Sequence, residues 1–76
     1  MFIEIGGLYR RKAKYGMALT EFGELFKFSQ GEIVVCLDMS VKNDGYSTWK
    51  FLTINGVVCT YTALLRYSGD YWEKLC

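Results

Sequence analysis

The 76 residues suffice for one domain with a small core. Apolar residues make up 51% and aromatics 17%, more than one small core can hide, so apolar surface is expected to remain for a partner. A net charge of +1 excludes a chain that holds nucleic acid or membrane by overall charge, although residues 1–20 carry Arg10, Arg11, Lys12 and Lys14 against Glu4 alone.

The chain opens on the turn pair Gly6-Gly7, and a first strand is expected over 5–12. It contains the segment Tyr9-Arg10-Arg11-Lys12-Ala13-Lys14-Tyr15, in which cations and tyrosines interleave. Such a segment can meet phosphates with Arg and Lys while Tyr stacks on bases. It can also face an acidic patch on a protein, or be a solvated strand whose charges keep an edge from pairing. In extended backbone, Arg10 and Lys12 point to one face and Arg11 to the other beside Tyr9, so no continuous cationic stripe is expected.

Residues 17–28 are ambiguous. Leu19, Phe22, Leu25 and Phe26 have helix-like spacing, but Gly23 interrupts it. A long irregular arm is the preferred reading, with a short helix as the alternative. Gln30-Gly31 then turns into a strand over 32–41, where Ile33, Val35, Leu37 and Met39 alternate and are expected inward. Val34 and Cys36 are apolar as well, so a loop or a partner should cover the opposite face.

Asn43-Asp44-Gly45 and Asn55-Gly56 fit hairpin turns, the latter read as a type I′ turn with both central residues at positive φ. Between and after them, 46–54 and 57–67 are rich in β-branched and aromatic residues and predict a paired hairpin. A short helical turn is expected near 69–74. The single domain, 1–76, is therefore read as a small all-β antiparallel barrel, with Phe26, Phe28, Val34, Cys36, Phe51 and Cys59 in its core.

The chemistry-bearing residues are sparse. There is no His for acid–base work, no nucleophile motif, and no glycine loop followed by Lys and Ser/Thr for phosphate. Cys36, Cys59 and Cys76 are scattered without partners at metal-ligand spacing, so no metal or cofactor is expected. Their odd number suits a reducing compartment. Residues 1–9 lack the basic start and apolar run of a secretion signal, and no apolar run approaches the roughly 20 residues of a membrane helix. A cytoplasmic, non-enzymatic binding protein is the expectation, with no catalytic residue.

The order of signals resembles an SH3 domain. The matches are Leu8-Tyr9, the arm ending Phe26-Lys27-Phe28, Gly31-Glu32-Ile33-Val34-Val35-Cys36-Leu37, Trp49-Lys50-Phe51, and Tyr71-Trp72-Glu73-Lys74-Leu75. The resemblance implies an SH3-like barrel of about five strands and a protein–protein interaction module. In that family a row of aromatics grips proline-rich peptides. Here Arg11 and Thr48 stand where two groove aromatics would be, and the proline before the final turn is either replaced by Ser68 or lost in the longer segment 57–70. Tyr9 and Tyr71 carry over as groove residues, Trp49 as the packing Trp, and Glu21 and Glu24 as loop acids. The barrel is retained and the proline-peptide groove largely dismantled.

The chain also resembles short phage-encoded proteins, compact and aromatic-rich, which implies a factor that binds and inhibits a host or defence protein in the host cytoplasm. The binding candidates are Tyr9, Arg10, Arg11, Lys12, Trp49, Tyr71 and Trp72, with Arg11 favoured for an acidic partner. That partner is expected to be a protein, in a homodimer or a hetero-complex built around an edge strand or an exposed aromatic. The alternative is a nucleic-acid-binding barrel that uses Tyr9–Tyr15.

Overall fold

The structure is a computed structural model that describes residues 3–76, with the backbone alone at Asn43. Its strands are β1 (Leu8–Arg11), β2 (Met17–Thr20), β3 (Leu25–Lys27), β4 (Ile33–Val41), β5 (Tyr46–Thr53), β6 (Val58–Leu64) and β7 (Trp72–Lys74). A 3₁₀ turn at Leu65–Tyr67 runs into the short helix α1 (Ser68–Tyr71). All strand pairs are antiparallel in the order β3-β2-β6-β5-β4-β1-β7, and the sheet curls into a half-barrel. Seven strands replace the expected five or so, because the arm and the C-terminal turn each contribute pairing.

The arm 17–28 is a hairpin, neither irregular nor helical. Its turn is made by Thr20, whose Oγ1 accepts the N–H groups of Phe22 and Glu24 at 3.3 and 3.1 Å, and by Gly23 at φ +80°. β2 then pairs with β3 through Met17–Lys27, Ala18–Phe26 and Leu19–Leu25. The helix-like spacing was a coincidence of residues that mostly face solvent: Leu19, Phe22 and Leu25 are exposed and Phe26 is half-buried. The helical segment comes earlier than expected, starting at Leu65, and frees Trp72–Lys74 to pair with β1.

β4 reverses the expected face and then changes face midway. Val34 and Cys36 are buried, whereas Ile33 and Val35 are only half-buried. Between Cys36 and Asp38 the register slips by one, leaving Leu37 as the extra residue of a β-bulge. A one-residue slip exchanges faces. Beyond it Met39 lies opposite buried Trp49 and packs on the core. Both parities of this strand are apolar because each faces the core on one side of the bulge.

The hairpin β5–β6 forms as its composition predicts, in register from Tyr46–Leu64 to Leu52–Val58. Its connection is not type I′, since only Gly56 has positive φ, +85°. Gly56 N–H donates to the Thr53 carbonyl and Thr53 N–H to the Val57 carbonyl, so the glycine follows the turn rather than forming its centre.

An aromatic cluster fills the concave side. Phe28, just beyond β3, meets Phe51, Tyr61 and Trp72 edge-on at 6.2, 5.7 and 5.1 Å between ring centroids. The two ends of the sheet therefore meet through side chains, Phe28 against Trp72, which closes the core without closing the backbone. Phe28, Val34, Cys36, Phe51 and Cys59 are buried as expected, whereas Phe26, also expected in the core, is only half-buried and packs against it.

Candidate interaction surface

β1 presents alternate residues to opposite sides. Tyr9 and Arg11 are buried while Arg10 and Lys12 are exposed, which is the expected alternation. Tyr9 Oη accepts the Glu4 N–H at 2.6 Å, and its ring lies so close to Gly7 that a Cβ there would approach within 2.6 Å. Arg10 pairs with Glu73 at 3.3 Å, and Lys12 Nζ donates to the Gly69 carbonyl at 3.0 Å. Two of the exposed cations are thus tied to the C-terminal segment, and no continuous cationic stripe forms.

Arg11 is 3% exposed and occupies an aromatic box. Its Cζ lies 5.0, 5.4, 5.5 and 5.9 Å from the ring centroids of Trp72, Tyr71, Tyr61 and Phe28. Its guanidinium donates to Tyr61 Oη at 3.2 Å and to the Tyr15 carbonyl. Gly16 is required beneath it, because a Cβ would collide with the guanidinium. Among the described residues no carboxylate pairs with it. The rings offset part of the cost of burying its charge. Arg11 therefore stitches the 12–16 loop to the core. It has no open face from which to read an acidic partner.

Trp49 and Trp72 are also buried, Trp49 stacked on Tyr61 at 5.8 Å. Of the seven residues singled out from the sequence, only Arg10, Lys12 and Tyr71 reach solvent. Burial, with nearby Glu32 as a smaller cause, pushes the Cys59 thiol up to about 11, and burial raises that of Cys36. Both are therefore protonated and poorly nucleophilic at neutral pH.

The surface that sequence reasoning missed is the β2–β3 hairpin. Tyr15, Met17, Leu19, Phe22 and Leu25 are all exposed on it, Phe22 at 81% and Leu25 at 70%. Met17, Leu19, Leu25, Thr60 and Thr62 line a shallow groove across β3, β2 and β6. β3 ends the sheet, and among the described residues nothing pairs with its far side. The Thr20 N–H reaches the Glu24 carbonyl and the Phe28 N–H the Gly16 carbonyl, so residues of even number in β3 bond inward to β2. Leu25 and Lys27 consequently turn their N–H and C=O groups to the open edge. The signal available in the sequence was Thr20 with Gly23, a turn pattern inside an apolar run.

No family model, curated protein or solved structure matches the chain.

Proposed function

We propose that the chain is an SH3-like, non-enzymatic protein–protein interaction module whose binding surface has moved from the proline-peptide groove to the β2–β3 hairpin. The observation that carries this reading is the row of exposed apolar side chains beside an open sheet edge. Patches of this kind mark interaction sites on small soluble domains, and open edges accept a further strand. The order of the matched segments supports the SH3-like assignment, with Glu21 and Glu24 on the hairpin that takes the place of the family's acidic loop. Burial of Tyr9 and Arg11 supports loss of the groove, since neither offers a shelf to a proline. A factor that binds and blocks a host or defence protein, of the kind short phage proteins supply, is the setting this design suits.

The test is capture from cell extract on immobilised protein. A protein partner should stay bound in high salt and be lost when Leu19→Asp or Phe22→Asp is introduced. The nucleic-acid reading, which rests on the Tyr9–Tyr15 segment, predicts instead that nucleic acid is retained and washes off steeply with salt. That result would replace the proposal.

A further inference from the structure

The open edge is self-complementary. Leu25 and Lys27 alone among the residues of β3 direct their backbone groups outward, and they flank Phe26 symmetrically. In an antiparallel ladder, residues that exchange both backbone bonds must lie opposite each other. Two copies of β3 related by a two-fold axis satisfy this with Leu25 opposite Lys27 of the other copy, twice, and Phe26 opposite Phe26 on the axis. All four outward donors and acceptors of each copy are then paired. A slip that sets Lys27 opposite Lys27 is disfavoured by like charge, and one that sets Leu25 opposite Leu25 leaves Lys27 facing the Gly23 turn.

Charge favours the same orientation. The hairpin is acidic at its tip, where Glu21 and Glu24 lie, and basic at its base, where Lys27 and Lys14 lie, all exposed. Antiparallel pairing sets each acidic tip beside the basic base of the other copy. Parallel pairing would set acid beside acid. On that face the row across the junction runs Leu19, Leu25, then Lys27 and Met17 of the second copy, because Met17 and Lys27 are register partners, so the aliphatic stem of Lys27 bridges the two apolar stretches.

We propose that this edge docks a second copy of the chain, β3 against β3, in the Leu25–Lys27 register, forming a continuous sheet through two half-barrels. The proposal rests on reading the hairpin as an interaction surface and names its occupant. Sedimentation equilibrium over a wide concentration range tests it. The unaltered chain should show a monomer–dimer equilibrium. Leu25→Lys creates two like-charge pairs across the axis and should weaken the dimer about tenfold or more, whereas adding Lys27→Glu to it should restore association. Lys27→Pro removes an outward N–H without touching a bond to β2 and should weaken the dimer independently of charge. Thermal melts of each variant report folding, and if Leu25→Lys melts early the decision passes to Lys27→Pro. A chain that stays monomeric, a dimer indifferent to both single variants, or a double variant that fails to recover would overturn the proposal. A monomer that still captures an extract protein through Leu19 and Phe22 would leave the interaction-module reading standing.

Discussion

The two edges of this sheet are built differently. β7 directs Trp72 into the aromatic core and carries Glu73 and Lys74, which pair with Arg10 at 3.3 Å and Glu4 at 3.2 Å. β3 carries one charge, Lys27, with the exposed Leu25 between it and the exposed Phe22 turn. Charges on an edge strand deter pairing with other chains. β7 is guarded by two charges and β3 by one. Exposed ion pairs such as those on β7 contribute little stability. The molecule thus invests its aromatics and one buried cation in closing one side, and leaves apolar surface on the other.

The comparison breaks most severely through the core that joins the two edges. Phe28→Ala removes the ring that meets Phe51, Tyr61 and Trp72 and should cost about 3–5 kcal/mol in urea denaturation, much of a small domain's stability. Arg11→Glu should be as damaging, about 3–5 kcal/mol, because it puts an uncompensated anion against four aromatic rings. Arg11→Met, which keeps the bulk, should cost less. A loss for Arg11→Met as large as that for Arg11→Glu would show that the missing cation, not the introduced anion, accounts for the cost.

A smaller effect follows from the buried thiols. Cys59 titrates near 9.0 in the unfolded chain and at about 11 when folded. Between those values the native state keeps a proton that the unfolded chain has lost, so the unfolded state binds fewer protons and stability falls as pH rises. The contribution is complete below about 9 and is lost as pH climbs through about 11. Denaturation midpoints taken below and within that window should fall less in Cys59→Ala than in the unaltered chain. An identical pH slope in both would show that the thiol is not the source.

The smallest stability effects should come from the edges themselves. Glu73→Ala and Leu25→Thr should each lie within about 0.5 kcal/mol of the unaltered chain by thermal melt. They should separate in association. Glu73→Ala unguards an edge and can only add contacts, whereas Leu25→Thr removes them from the edge proposed to bind.

The legible parts of the fold were those decided by local chemistry. Tyr46–Thr53 and Val58–Leu64 read as strands because β-branched and aromatic residues fill them, and the alternation of Tyr9, Arg10 and Arg11 follows from extended backbone alone. What escaped depended on a single-residue irregularity or on distant segments meeting. One extra residue at Leu37 exchanged the faces of β4. The Thr20–Gly23 turn made a hairpin from residues whose spacing imitates a helix. The box around Arg11 draws its rings from beyond β3, from β6, from α1 and from β7, so no window of sequence could show that Arg11 is enclosed. The exposed apolar patch escaped for the related reason that exposure of Leu19, Phe22 and Leu25 depends on where the sheet ends.

Amide hydrogen exchange at Leu25, Phe26 and Lys27, followed as protein concentration rises, tests the central claim that β3 is the open, pairing edge. Phe26 N–H, bonded inward to β2, should be slow at every concentration. Leu25 and Lys27 N–H should exchange freely in dilute solution and become protected together as the second copy binds. Protection of Leu25 and Lys27 that does not change with concentration, or concentration-dependent protection that appears on β7 instead, would contradict it.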